Sequence, residues 1–137
     1  MKIVSIHQPG YLPWLVFFKK IMYSDVFVFL DDVKFVKRQW HNRNQILTND
    51  GSIFLTVPVI KNSGENINEI EISYDEKWNI NHKKTIFYNY KSSEFFEEYW
   101  NFFEDIYSKK FKNLLELNLE FINFFINELE LKTKIVF

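Results

Sequence analysis

The sequence has no cysteine, only three glycines and three prolines among its 137 residues, and no long apolar run. The absence of cysteine excludes disulfides, thiol nucleophiles and cysteine-ligated metal sites. No apolar stretch approaches the ~20 residues that a transmembrane helix needs, and the amino terminus lacks a signal-peptide pattern. We therefore expect a cytoplasmic protein with no transmembrane segment.

Neither sign of charge dominates the chain. Lys and Arg total 17 against 18 Asp and Glu, which gives a formal net charge of -1 at pH 7. Such a balance produces no global field that would attract nucleic acid, so we expect no nucleic-acid partner. Any basic binding site must be local.

Aromatic residues are abundant, at 20% of the chain with 16 phenylalanines, and 47% of all residues are hydrophobic. This composition predicts a globular protein whose core consists mostly of rings, although codon usage in an AT-rich genome would also enrich phenylalanine. The length fits one compact unit, and we expect residues 1–137 to form a single domain.

The first part of the chain predicts a strand, a helix and a second strand. Residues Ile3 to Ile6 form a short β-branched run, and apolar residues between Trp14 and Tyr23 recur at helical spacing. Pro13 suits the first position of that helix because the amide it lacks would have no partner there. The unbroken apolar run Val26 to Leu30 is typical of a strand buried on both faces. This succession of elements predicts a parallel βαβ core.

The remaining sequence predicts an antiparallel hairpin followed by helices. Asn49-Asp50-Gly51 is a hairpin turn signal, and Pro58 should lie at a bulge, a strand end or an edge. Ile70 and Ile72 alternate with polar residues, which predicts a short half-exposed strand. Apolar spacing predicts helices from Trp78 to Tyr90, from about Phe95 to Ile106 and from Leu114 to Leu129, then a returning strand from Thr133 to Phe137. The predicted fold is α/β, with a parallel βαβ core, an antiparallel hairpin and a helical carboxyl half.

Two ionisable residues directly follow the first two predicted strands, where open parallel sheets bind their ligands. His7 suits a proton carrier because a histidine side chain titrates near neutral pH, and its alternative role is to hydrogen-bond the loop. Asp31 could orient His7, accept a hydrogen bond from a sugar or bind magnesium, and its alternative role is to cap the turn. We identify no specific metal site and no cofactor. His41 and His82 are weaker candidates.

A basic segment interleaved with aromatic and amide side chains follows: Lys37, Arg38, Trp40, Asn42, Arg43 and Asn44. It could hold a diphosphate and stack a base or sugar ring, or it could be a solvated basic loop. Tyr11 and Trp14 could form a sugar-stacking wall or belong to the core. We expect His7, Asp31 and Arg43 to converge on one pocket.

These motifs closely resemble those of the WbqC-like protein family. The matching runs are Ile6-His7-Gln8-Pro9-x-Tyr11-Leu12-Pro13-Trp14, Phe18-x-Lys20-Ile21-x-x-Ser24-Asp25, Leu30-Asp31 and Lys37-Arg38-x-Trp40-x-Asn42-Arg43-Asn44. The resemblance implies a transferase of bacterial surface-polysaccharide (O-antigen, lipopolysaccharide) biosynthesis. It would move a glycyl or other acyl group to an amino sugar carried on a nucleotide or a lipid.

The resemblance also implies roles for individual residues. His7 would take the proton from the attacking amine, and Gln8 and Asn42 would stabilise the developing oxyanion. Lys37 and Arg43 would hold phosphate. Two readings from other classes remain open: a nucleotidylyltransferase-like nucleotide-binding enzyme, and a non-catalytic sugar-binding module.

The chain departs from the family pattern in two places. Val16 stands where relatives usually have glycine, and family members usually continue well past Phe137. We therefore expect a shortened member or a fragment, truncated at the carboxyl end. Uncovered apolar surface near that end should then favour a homo-oligomer.

Overall fold

The computed structural model describes residues 1–137 and has mixed α and β structure. In chain order the elements are β1 (Val4–His7), α1 (Leu15–Met22), β2 (Val26–Phe29), β3 (Arg43–Thr48), β4 (Gly51–Thr56), α2 (Trp78–Tyr90), α3 (Phe96–Ser108), α4 (Leu114–Glu128) and β5 (Lys134–Val136). One 3-10 turn, Ile67–Glu69, lies in the loop before α2. This arrangement confirms the predicted α/β class.

A parallel three-stranded sheet has the strand order β1-β2-β5. Its first two strands are joined through α1, so the predicted parallel βαβ core is confirmed. The returning carboxyl-terminal strand is confirmed as well, since β5 pairs with β2. One face of the sheet packs against α1 and α4 in a buried group that we call the sheet cluster: Phe17, Phe18, Ile21, Phe27, Phe29 and Ile122.

The opposite face of this sheet belongs to neither buried cluster of the protein. Val4 is 56% exposed and Ile6 is 50% exposed. Val26 and Val28 on the central strand are only half-buried. The prediction of a strand buried on both faces is therefore wrong, because α1 and α4 both pack on the same side of the sheet.

The hairpin of β3 and β4 turns at Asn49-Asp50 as predicted, and Thr48 pairs with Gly51. Pro58 lies two residues beyond β4, which confirms its predicted place near a strand end. The hairpin packs with α2, α3 and α4 in a second buried group, the hairpin cluster: Tyr11, Leu55, Val57, Ile70, Ile72, Trp78, Ile86, Ile106, Tyr107, Leu114, Leu117 and Phe121.

The predicted half-exposed strand at Ile70 and Ile72 is absent. Both side chains are buried, and the segment forms only single bridges, from Ile72 to Val59 and from Glu71 to Asn113. Successive residues thus bond to different partners, so no continuous ladder develops.

The starts of α1 and α4 differ in how the chain enters the helix. Trp14 caps α1 in an extended conformation, so the prediction that Pro13 is the first helical residue is wrong. Leu12, with φ of 46°, turns the chain just before it. At α4 the side chains of Asn113 and Glu116 form a capping box with the backbone. None of the four helices combines the length and hydrophobicity that a bilayer crossing requires.

Candidate functional site

His7 ends β1 and has an exposed imidazole. Its Nδ1 lies 2.8 Å from the backbone carbonyl oxygen of Gln8, and the ring meets Phe17 edge-on at 5.3 Å between centroids. A carbonyl can only accept, so Nδ1 must carry the hydrogen of the neutral ring. Nε2 is then a free acceptor, oriented by contacts on two sides, and can take a proton from a bound molecule.

The loop that follows His7 is bonded to the segment around Trp40. The Tyr11 amide donates to the Trp40 carbonyl at 3.0 Å. Asn44 Nδ2 donates to the carbonyls of Tyr11, at 3.2 Å, and Leu12, at 2.6 Å. A Cβ atom at Gly10 would lie 3.0 Å from the Trp40 oxygen, so only glycine fits this approach without displacement. These contacts hold the loop, which we call the motif loop (residues 7–14), in one conformation.

Gln8 is held by His41, which is a weaker candidate from the sequence alone. Nε2 of His41 lies 2.6 Å from Oε1 of Gln8, and the His41 side chain is buried. Burial lowers the pKa of His41, the Val36 backbone carbonyl opposes this shift, and nearby His7 lowers the pKa further. Nδ1 of His41 has no hydrogen-bond partner, so the neutral ring carries its hydrogen on Nε2, donates to Gln8 Oε1 and leaves the Gln8 amide nitrogen free to donate elsewhere.

Asn118 holds His41 from the opposite side. Its Nδ2 donates to the His41 carbonyl at 2.8 Å, and its side chain is fully buried. Sequence reasoning missed this residue. The available signal was a single amide inside the apolar stripe of α4, between Leu117 and Phe121.

The hydrogen bonds of Asn42 stabilise the hairpin. Asn42 is buried, and its side-chain Nδ2 donates to the backbone carbonyl of Val57 at 2.9 Å. The backbone carbonyl of Asn42 accepts from the backbone amide of Val57 at 2.7 Å. The side chain thus fixes the start of β3 against the chain that follows β4, and its donor group does not face solvent.

The side chains of Arg43 and Trp40 both lie near Phe54 of the hairpin. The Arg43 guanidinium carbon lies 4.3 Å from the centre of the Phe54 ring, and the Trp40 ring lies 6.3 Å from the same ring. Lys37, Arg38 and Arg43 take part in none of the salt bridges of the protein. These cations are therefore free to bind an anion beside an exposed indole.

Asp31 and Trp14 have few partners. The Asp31 backbone carbonyl accepts from the Asn68 amide at 3.0 Å, and its half-buried carboxylate makes no hydrogen bond to His7. Trp14 is exposed at the amino end of α1. Both residues are accessible to a ligand. No hydrogen bond or ion pair links His7, Asp31 and Arg43, so their convergence on one pocket stays a prediction.

Tyr11 occupies the centre of the hairpin cluster and has no exposed surface. Its hydroxyl contacts the Tyr107 hydroxyl and lies 2.9 Å from Nδ1 of His82. Burial lowers the pKa of His82 to about 4, and the Thr56 backbone carbonyl opposes this shift. Neutral His82 thus accepts from Tyr11. The geometry matches the alternative in which Tyr11 belongs to the core.

Comparison with known proteins supports the resemblance of the motifs. The profile of the WbqC-like protein family matches residues 8–137, nearly the whole chain. An uncharacterized protein of Mycobacterium tuberculosis is 33% identical over 138 residues, which cover 98% of this chain and 59% of that relative. The chain thus spans less than two thirds of the relative's length. No solved structure matches significantly. The chain belongs to the WbqC-like protein family.

Proposed function

We propose that this protein takes part in transferring a glycyl or other acyl group to an amino sugar carried on a nucleotide or a lipid. The pathway would be the cytoplasmic phase of bacterial surface-polysaccharide (O-antigen) biosynthesis. Family membership supports the reaction class. The observation that carries the proposal is His7, which lies at the carboxyl end of β1 with its Nε2 free and is followed directly by Gln8.

In this mechanism His7 acts as the general base. The neutral amine of the sugar attacks the acyl carbonyl carbon, a C–N bond forms, and His7 Nε2 accepts the proton that the nitrogen releases. The tetrahedral intermediate then collapses, and the donor's leaving group departs with its bonding electron pair. Protonated His7 returns the proton to that group, which restores the starting state of the enzyme.

Gln8 stabilises the oxyanion of the tetrahedral intermediate. Its Oε1 accepts from His41, so its Nε2 is oriented and can donate to the developing charge. Asn42, to which the resemblance also assigned this role, donates to Val57 instead. We therefore assign the oxyanion to Gln8 and give Asn42 and Asn44 the role of holding the motif loop and the hairpin.

The basic segment binds the diphosphate of a nucleotide or lipid carrier. Lys37, Arg38 and Arg43 have no carboxylate partner that a phosphate would have to displace. Exposed Trp40 offers a face on which a base or a sugar ring can stack. Asp31 would accept a hydrogen bond from a sugar hydroxyl, and Trp14 would cover the sugar.

The test is incubation of the protein with nucleotide-linked amino sugars and acyl donors, including glycyl donors, followed by mass spectrometry of the products. A mass increase that matches one acyl group on the sugar is the expected result. His7→Gln should lower the turnover by about 10²-fold or more while substrate binding persists. Lys37→Ala should weaken binding of the diphosphate, whereas the control Lys110→Ala, outside this segment, should not.

Two outcomes would redirect the assignment. Release of pyrophosphate from a nucleoside triphosphate, with no acylated product, would favour the nucleotidylyltransferase-like alternative. Tight binding of the amino sugar with no turnover by the wild-type protein would favour the non-catalytic sugar-binding module.

A further inference from the structure

A cavity of about 350 Å³ lies between the hairpin, the end of the motif loop and helices α2 and α3. None of the residues assigned above to the reaction lines it. Its volume lies in the range of pockets that hold small organic molecules. A second cavity of about 390 Å³ adjoins it and shares the side chains of Pro13, Tyr99, Phe103 and Phe125.

Half of the residues that line the first cavity are aromatic. Phe96 and Trp100 stack at 5.0 Å between centroids with an interplanar angle of 21°. The Tyr90 hydroxyl accepts a hydrogen bond from the Leu47 amide at 3.1 Å, which ties α2 to the hairpin. The wall therefore offers ring faces and edges with few polar atoms.

The charges at these walls all have one sign. Glu94 is the only ionisable acid or base other than tyrosine that lines the first cavity, and Glu128 has the same position in the second. Neither takes part in a salt bridge. The pKa of Tyr99, which lines both cavities, is raised mainly by the Glu98 carboxylate, with smaller contributions from burial and Glu128. The lining carboxylates of Glu94 and Glu128 thus place negative charge at the two cavities, and no lining lysine or arginine offsets it.

We propose that these joined cavities bind an organic ammonium ion carried on a hydrocarbon or aromatic body. Aromatic faces attract ammonium groups through the ring quadrupole, and a nearby carboxylate adds to this attraction. The apolar walls would cover the rest of the ligand. An anionic ligand would meet the unpaired carboxylates of Glu94 and Glu128 and find no cation. This site is separate from the His7 site and does not depend on the reaction proposed there.

The test compares three ligands of one shape class on the full chain: benzyltrimethylammonium, benzyl alcohol and phenylmethanesulfonate. Dissociation constants and affected residues come from amide chemical shifts in ¹⁵N-resolved NMR spectra. We expect the cation to bind about three- to tenfold more tightly than the alcohol, and the sulfonate to bind most weakly. The largest shifts should occur at Tyr90, Tyr99 and Trp100.

A matched pair of variants separates the carboxylate from general effects. Glu94→Gln should weaken binding of the cation about threefold and leave binding of benzyl alcohol unchanged, while Glu76→Gln, an exposed residue outside both cavities, should change neither. Both substitutions are at exposed positions, so the spectra should report an unchanged fold. Equal affinity for cation and sulfonate, shifts centred on the motif loop, or no binding at millimolar concentration would overturn the proposal.

Discussion

The side-chain oxygen of Gln8 lies 2.6 Å from Nε2 of His41, which connects a half-buried residue of the motif loop to a buried imidazole. His41 in turn is fixed by Asn118 from α4. The orientation of the Gln8 amide therefore depends on residues that no substrate touches. Four of the five predictions below test this network or the neighbouring one around Tyr11.

We predict that His41→Phe lowers kcat about tenfold with a smaller effect on KM, because a Gln8 amide free to rotate spends less time aimed at the oxyanion. The measurement is steady-state kinetics of the acyl transfer. His41→Gln, whose amide can donate to the same oxygen, should recover most of the lost rate. Equal losses in both variants would show that His41 acts only through packing.

Asn118→Ala should destabilise the fold by about 2 to 3 kcal/mol, because it leaves the buried His41 carbonyl without a donor and opens a small cavity. Urea denaturation followed by circular dichroism measures this change. Asn123→Ala, an exposed position on the same helix, is the matched control and should be neutral or slightly stabilising. Similar values for the two variants would refute the role of Asn118.

Removal of the Tyr11 hydroxyl should destabilise the fold more than removal of the Tyr107 hydroxyl, although both are buried and in contact. Tyr11→Phe leaves both the Tyr107 hydroxyl and His82 Nδ1 without a partner, and should cost about 3 kcal/mol. Tyr107→Phe leaves the bond from Tyr11 to His82 in place, and should cost about 1 kcal/mol. Chemical denaturation of both variants gives the comparison. The reverse order would mean that Tyr107, rather than Tyr11, organises the group.

Stability should decrease as the pH falls from about 6.5 to 4. The pKa of His82 is about 4 in the folded chain against an ordinary value of 6.5, so in this range the unfolded chain binds a proton that the folded chain does not. The free energy of unfolding therefore contains the full His82 contribution above pH 6.5, and it decreases by up to roughly 3 kcal/mol as the pH falls toward 4. His41, whose pKa is also lowered, acts in the same direction.

Denaturation curves between pH 4 and pH 8 measure this dependence. The His82→Gln variant is the control, and its stability should vary less with pH across the same range. An identical slope in the variant and the wild type would assign the pH dependence to other groups.

The open face of the parallel sheet should cause self-association. Val4 and Ile6 are the most exposed apolar side chains of that face. Exposed apolar surfaces of this kind are usually buried in an interface. We therefore expect dimers or larger species in sedimentation velocity at micromolar concentration. Val4→Lys with Ile6→Lys should give a monomer. Leu47→Lys, an exposed apolar position on the hairpin, should leave the association unchanged.

The succession of helices and strands could be predicted from the sequence because it follows from local periodicity. The runs that became β1, β2 and β5 are apolar and short, and the parallel pairing of β1 with β2 follows from the crossover through α1. The open face could not be predicted from the sequence. A run of apolar residues such as the one containing Val26 and Val28 is compatible with a sheet that is covered on one face and with a sheet that is covered on both faces. Coverage depends on where distant helices pack.

The candidate site was predictable in its composition but not in its contacts. His7 and the basic segment stood out because rare side chains follow predicted strands. By contrast, Asn44 bonds to the carbonyls of Tyr11 and Leu12, more than thirty positions earlier in the chain. An amide that holds a loop and an amide that binds a ligand look the same in a sequence. Only the proximity of the two segments distinguishes them.

The position of β5 has a consequence for biosynthesis of the protein. One edge of β2 pairs with β1, which precedes it closely in the chain, whereas the other edge pairs with residues 134–136. Until those residues emerge, a nascent chain presents an unpaired strand edge beside Phe27 and Phe29. Contacts so distant in sequence form slowly. We therefore expect a chaperone that acts on nascent chains to engage the β2 region until β5 has been made.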